Sequence, residues 1–295
     1  MHKKSAGFLI LFSLAAFCFC KEPPTFTVSP FAGWNVCSLD EILYDTDDNL
    51  RSLLEWDQKN LFETGLCLTV TFPKCQAALL FSYSFPTAQG KMTDSDRSAG
   101  QKYSETKHPV LKTKNINTQF DFSYTVFQND FFTLAPALQV QYLYSSFNAG
   151  NGEGIRNGRN IKVYGIDYYR HSVFSFLGVQ TKFQLLPKLY LGADFLVSPF
   201  CYQNGFDYHQ GVANPFSSRD IQKGFFSKFK TTANAGFDFN ERLALETQFS
   251  VIWGSTDKGI LYTDYFSGSM ALAWEKSGSR ILYWGGRVFL KIRVF

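Results

Sequence analysis

Between residues 116 and 126 the chain alternates strictly in character. Ile116, Thr118, Phe120, Phe122, Tyr124 and Val126 form one set, and Asn117, Gln119, Asp121, Ser123 and Thr125 form the other. Successive side chains of an extended backbone point to opposite faces, so this period predicts a strand with one apolar and one polar face. The same period runs through 189–197, where Leu189, Leu191, Ala193, Phe195 and Val197 alternate with Tyr190, Gly192, Asp194 and Leu196. It returns in 243–253, with Leu243, Leu245, Thr247, Phe249, Val251 and Trp253 set against Ala244, Glu246, Gln248 and Ser250. An aromatic-rich apolar face opposite a charged and amide face suits a barrel with lipid outside and water inside. A soluble sandwich would show shorter strands, with turn signals about every 8–12 residues.

Tight connections are signalled at Phe72-Pro73-Lys74, Gln128-Asn129-Asp130, Leu186-Pro187-Lys188 and Asp238-Phe239-Asn240-Glu241. Longer polar or Gly-rich stretches lie near 45–50, 88–115, 148–160, 203–222 and 254–282. Short and long connections alternate, which predicts ten strands joined by four turns and five loops. The expected fold is all-β: a ten-stranded antiparallel transmembrane β-barrel with long extracellular loops and short periplasmic turns. Beyond the first 20 residues no run of 18 consecutive apolar residues would supply a membrane-spanning helix. One segment strains the pattern. Phe295 shares its parity with Arg293, Lys291 and Arg287, which requires either an inward-pointing Phe295 or a bulge that shifts the register.

Composition adds three points. Aromatic residues make up 18% of the 295, with 32 Phe and 15 Tyr, a content suited to β-favouring side chains on an exposed apolar face. The net charge of +4 comes without the dense Lys/Arg clustering of a nucleic-acid binder. Residues 1–20 have the form of an export signal: His2, Lys3 and Lys4 precede an apolar run from Gly7 to Phe19, and Ala16, Cys18 and Cys20 offer small residues before Lys21. The barrel is then expected to comprise 21–295. Phe17 and Phe19, directly before Cys18 and Cys20, argue against lipidation there. Cys37, Cys67, Cys75 and Cys201 show neither a disulfide framework nor a zinc spacing. Cys67 and Cys75 flank the turn at Pro73, and either face each other across it or remain free thiols.

Candidate chemistry lies in two short segments. Met92-Thr93-Asp94-Ser95-Asp96-Arg97 holds two carboxylates two residues apart, and Phe206-Asp207-Tyr208-His209 holds a carboxylate and an imidazole at the same spacing. In extended backbone each pair points to one side. The first follows the third expected strand and the second the seventh, so both reach the same rim. Four steps apart in a ring of ten, they can face each other across its mouth. Three carboxylates and an imidazole around a gap sized for water are suited to hydrolysis. Alone, an Asp-x-Asp is usually a solvated turn, and the same four side chains could also ligate a divalent cation. His108, before Pro109, is expected to shape a loop, and His171 to be structural or lipid-facing. Lys228 and Lys230 alternate with Phe229 and Thr231 and are expected to line the lumen, paired with Glu246.

At these residues the chain resembles the omptin family, outer-membrane endopeptidases built as ten-stranded barrels. Leu54-Glu55-Trp56 is similar to the family's Leu-Asp-Trp, and Met92-Thr93-Asp94-Ser95-Asp96 to its Met-Val-Asp-Gln-Asp. Glu105-Thr106-Lys107-His108-Pro109, followed by Asn117-Thr118-Gln119-Phe120-Asp121, resembles its Glu-Ser-Arg-His-Pro loop and the next strand. Asp207-Tyr208-His209 resembles its Asp-Glu-His, and Asn234-Ala235-Gly236 recurs on the eighth strand. Each tripeptide is weak alone, and their order and spacing carry the likeness.

The resemblance implies a cleft at the extracellular rim in which Asp207 orients His209 and His209 takes a proton from water. Asp94 and Asp96 would hold the water and stabilise the oxyanion, with no metal or other cofactor, although lipid can be required. Implied partners are protein or peptide substrates and outer-membrane lipid. Omptins hold Arg or Lys over acidic residues at the base of their first specificity pocket. Glu41 stands where one such acid would be, and Gly205 stands in place of the second. The family also grips lipopolysaccharide phosphates with an outward charged cluster. Its strand-five positions fall on the uncharged Val140, Tyr142 and Tyr144, while Arg170 and Lys223 lie within one residue of two others. Beside the peptidase stand two further readings, an inactive barrel serving as adhesin or ligand-binding protein, and a small pore.

Overall fold

The computed structural model describes residues 23–209, 216–265 and 267–294; residues 1–20 and Phe295 lie outside this set. Every strand pairing is antiparallel, and pairing of the first strand with the last closes the sheet into a ring. Ten staves form the wall: β1 (Thr25–Tyr44), β2 (Leu50–Thr71), β3 (Cys75–Pro86) continued by β4 (Gly90–Ser98), and β5 (Gln101–Tyr124). The short β6 (Phe127–Gln128) belongs to the turn before β7 (Phe132–Ala149), after which the hairpin β8 (Gly152–Arg156) and β9 (Arg159–Val163) projects from the rim. Then follow β10 (Ile166–Leu186), β11 (Leu189–His209), β12 (Phe216–Gly224) continued by β13 (Lys228–Asp238), β14 (Leu243–Ser255) continued by β15 (Gly259–Tyr265), and β16 (Met270–Val294).

Alternation decides which side chains face out. Leu79, Phe81, Tyr83 and Phe85 of β3 are exposed, as are Leu191 and Phe195 of β11 and Leu245 and Phe249 of β14. Their neighbours Ser82, Ser84, Asn117, Gln119 and Glu246 are buried. A closed ladder lets strands pair their backbone groups inside an apolar surround that offers no water. The lumen is packed across its middle, and a cavity of about 430 Å³ lies toward the short turns, lined by Cys67, Asp121, Asp194 and Lys291 among others. Arg287 of β16 grips Glu63 of β2 with two bonds of 2.9 Å, and Ser82 and Asn35 complete the carboxylate's partners. Above this layer Leu39, Trp56, Leu61, Phe147, Tyr168, Phe174 and Phe176 fill the bore.

The wall is taller than the alternation predicts. The stretches 88–115 and 203–222 are mostly strand, and Ala99 and Gly100, both with positive φ, close β4 onto β5 in a tight turn. With 24 residues, β5 spans about 80 Å at ~3.3 Å per residue, while a bilayer needs only about 9–11 residues of a tilted strand. The remainder stands above the apolar belt, where both faces are polar and the alternation that marks a strand is lost. The last strand keeps one register against β1 from Val294 to Ser277, so the described part of β16 holds no bulge there.

The register decides one pairing that the sequence left open and corrects another. Cys67 stands opposite Leu80, five residues along β3 from Cys75, which separates the two Cα atoms by about 16 Å. That distance is beyond the ~7 Å limit of a disulfide, and none of the four described cysteines is bridged to another. Lys230 opposes Ile252, whereas Glu246 opposes Gly236. The ammonium therefore reaches Gln119 and Gln139 at 2.8 Å each, while Glu246 pairs with Lys291 at 2.6 Å.

Candidate active site

At the upper end of β11, Asp207 and His209 share the inner face, as residues two apart on a strand must. Asp207 Oδ2 lies 3.0 Å from His209 Nε2, and Asp207 Oδ1 accepts the N–H of Ser218 from β12 at 2.8 Å. Both carboxylate oxygens are thus committed, one to the neighbouring strand and one to the imidazole. Phe216 lies flat on the ring, with centroids 4.3 Å apart and planes 15° from parallel. The imidazole is held by a hydrogen bond at one edge and by stacking on one face. Burial opposes its charging, but the hydrogen bond and charge of Asp207, followed by the charges of Asp94 and Asp96, raise its pKa above the ordinary value.

Across the mouth, β4 holds Asp94 between Leu54 of β2 and Thr106 of β5. Its Oδ1 is enclosed and has no hydrogen-bond partner. Burial, and then the charge of Asp96, push the Asp94 pKa up to about 7, against the pull of His209 and Arg156. These mutual influences show that the fold brings Asp94, Asp96, Asp207 and His209 to one rim. Asp96 is half-buried on the same face, one step further out. Among the described residues no group of three or more His, Cys, Asp or Glu is disposed to hold a metal ion.

Beneath the two pairs lies a floor of aromatic and charged side chains. Trp56 is fully buried and stacks on Tyr168 at 5.3 Å and 14°, with Phe147 at 5.4 Å. Glu41 is 1% exposed and sits among Asp207, Asp220, Arg170 and Asp94. Burial, then the charges of Asp207 and Asp220, raise its pKa well above the ordinary carboxylate range, with Arg170 opposing. The outer surface at this level is polar, with Arg219 bound to Asn204 and Arg280 to Asp40.

Sequence reasoning missed Asp220 and gave Arg170 no place in the site. An added Cβ on Gly205 would stand 1.9 Å from Asp220 Oδ1 and 2.9 Å from Tyr168 Oη, so glycine is what lets this carboxylate in. Asp220 receives Arg170 at 3.3 Å and also Gln222. Arg170 is wholly buried and cannot reach a lipid headgroup. The available signal was the alternation of Ser218, Asp220 and Gln222 within a stretch assigned to a loop.

Of two further histidines, His108 departs from expectation and His171 does not. His108 lies within β5 and not in a loop. It is 2% exposed, and its Nδ1 bonds the Gly150 carbonyl at 3.0 Å and its Nε2 Thr106 at 3.1 Å. It ties β5 to the segment leading into the β8–β9 hairpin. His171 faces outward, 2.7 Å from the Tyr142 hydroxyl and packed on Tyr144, in an aromatic patch where the Lys114 ammonium lies 5.6 Å from the Tyr144 ring centroid.

No family model and no curated protein sequence matches this chain. Among solved structures, the translocator domain of the autotransporter NalP from Neisseria meningitidis aligns over 98% of this chain and 96% of its own at 10% identity, with a TM-score of only 0.37. The outer membrane protein OprG from Pseudomonas aeruginosa aligns over 93% and 97% at 12% identity and 0.32. The crystal structure of the outer membrane protease OmpT from Escherichia coli differs in kind: it covers 92% of this chain and 97% of its own at 13% identity, with a TM-score of 0.81. The chain thus has the fold of an outer-membrane β-barrel of the kind seen in that protease.

Proposed function

We propose that this protein is an endopeptidase of the outer membrane, hydrolysing exposed peptide segments at its outer rim. The observation that carries the reading is the Asp207–His209 hydrogen bond, fixed by Ser218 and stacked by Phe216, across the mouth from Asp94 and Asp96. In this reading His209 accepts a proton from a water held between the pairs, and the resulting hydroxide attacks the peptide carbonyl. Asp94, with its pKa of about 7, retains a proton near neutrality and donates a hydrogen bond to the developing oxyanion. The imidazolium then gives its proton to the departing amine. Asp96 holds the water, and Asp207 keeps the imidazole in the tautomer and orientation the step needs.

The exposed apolar belt and the likeness to an outer-membrane protease support the location, with the charged rim facing outside. The layer of buried aromatic side chains that crosses the bore, above the cavity at the short-turn end, argues against the pore. An inactive adhesin or binding barrel remains the opposing outcome. The test uses protein refolded in detergent, with and without added lipopolysaccharide, against a library of quenched peptides. Cleavage by the wild type, lost in His209→Ala and Asp94→Ala with the barrel still folded, supports the peptidase. No cleavage under any lipid condition refutes it in favour of the binding protein.

A further inference from the structure

The floor beneath Asp207 holds more charge than a structural layer needs. Gly205, two residues before Asp207, leaves a gap on the inner face of β11, and Asp220 enters it from β12. Arg170, opposite Gly205 on β10, then places its guanidinium 3.3 Å from Asp220, beside Glu41 and over the ring of Tyr168 at 5.2 Å. It also reaches the Asp40 carbonyl at 3.4 Å, which joins β10 to β1 across the lumen. Arg170, Asp220, Glu41 and Tyr168 are each no more than 1% exposed. Burying this set is costly unless the charges are paired. A layer kept only for packing would be served as well by apolar side chains.

The pairing is incomplete. Arg170 Nε, Glu41 Oε2 and the Tyr168 hydroxyl are buried with no hydrogen-bond partner. The floor therefore keeps buried donors and acceptors without partners, while its carboxylate Asp220 is engaged by a cation of the protein itself. A lysine or arginine of a bound peptide entering from the Asp207 side would meet Arg170 first. It would have to displace a guanidinium already bonded to Asp220 or stand beside a like charge in a poorly solvated site.

We propose that Arg170 is a built-in occupant of this acidic floor, so that the peptidase accepts an uncharged side chain next to the cut bond and rejects lysine and arginine. This rests on the peptidase reading above and deepens it by naming a substrate class and a specificity-determining residue.

The experiment uses the full barrel in detergent with peptides identical except at the residue before the cut, mapped by mass spectrometry, carrying Ala, Gln, Lys or Arg. The wild type is expected to cleave the Ala and Gln peptides with kcat/KM at least about 10-fold above the Lys and Arg peptides. Arg170→Met removes the occupant and leaves two carboxylates, which should invert the order in favour of Lys by about 10-fold. Arg170→Lys should keep the wild-type order. Adding Glu41→Gln to Arg170→Met should cancel the gain for Lys, which a merely structural role would not produce. A wild type that prefers Lys or Arg overturns the inference, as does a folded Arg170→Met with the order unchanged. If Arg170→Met does not fold, the wild-type order alone decides. Cleavage of no peptide by the folded wild type refutes the peptidase reading itself, and the specificity inference falls with it.

Discussion

Asp207→Asn separates orientation from mere presence of the imidazole. The carboxylate accepts twice, from the Ser218 N–H at 2.8 Å through Oδ1 and from His209 Nε2 at 3.0 Å through Oδ2. Asparagine has the same outline but only one acceptor oxygen. The Ser218 N–H is a fixed donor, so the amide oxygen must turn to it, and the NH2 group then faces His209. Nε2 is forced to accept, the ring proton moves to Nδ1, and the nitrogen left for the water can no longer take a proton. Loss of the correct tautomer in a His-based hydrolytic site costs about 10³-fold to 10⁴-fold in kcat, or roughly 4–5.5 kcal/mol of transition-state stabilisation. Because the Ser218 bond survives, the barrel should lose no more than about 1 kcal/mol of stability. The assay is steady-state cleavage of a quenched peptide by refolded protein, with heat-dependent gel mobility as the folding control. Near-wild-type turnover by a folded Asp207→Asn protein, within about 10-fold across pH 5–9, would refute this account, because a defect of 10³ or more is required.

Four further outcomes are expected. The pH profile of kcat/KM should be bell-shaped: it rises as His209 loses its proton above the ordinary imidazole value and falls as Asp94, at about 7, loses its own. The limbs belong to the coupled cluster, and Asp94→Asn should flatten the alkaline one. Thermal unfolding should show stability declining as pH rises from about 4 through about 7. The folded state holds protons on Asp94 and His209 more tightly than the unfolded chain, so their contribution is complete at low pH and lost as each deprotonates; a melting temperature that climbs over this range contradicts the assignment. Arg287→Met should destabilise the barrel by about 3–5 kcal/mol, since Glu63 would be left buried without its two 2.9 Å bonds; an unchanged melting temperature would show that Glu63 is otherwise satisfied. Mass spectrometry after alkylation without reductant should find Cys67 and Cys75 unbridged; a mass two hydrogens lower would contradict the strand register.

The residues most legible in the sequence were those whose environment differs sharply between two faces. Phe120 against Gln119, or Phe195 against Asp194, marks strand and orientation at once, because lipid and lumen impose opposite demands on alternate side chains. Above the belt that contrast disappears. Asp94 and Ser95, or Asp207 and Tyr208, are compatible with water on either side, so the polar stretches resembled loops although these residues are paired in the ladder. Local turn chemistry was still present there: Asn157 and Gly158 both adopt positive φ at the tip of the β8–β9 hairpin, as an Asn-Gly pair between strands would suggest.

The Asp-x-Asp and Asp-x-His pairs survived the error because their placement depended only on parity. Odd staves end at the same rim whether their last residues are strand or loop. Parity along one strand could not supply Asp220, whose position follows from the pairing Gly205↔Asp220 between β11 and β12. The sequence showed that position 205 carries no acid, and could not show that glycine there opens the floor to an acid from the next strand. Arg170 follows from the same register, since it lies opposite Gly205 on β10 and alternates with the outward His171. A cation that lies one residue from an outward position is thereby turned inward, onto the carboxylate that the glycine admits. Side chains on three adjacent staves thus define one floor, and the chemistry of the floor depends on register between strands as much as on identity within them.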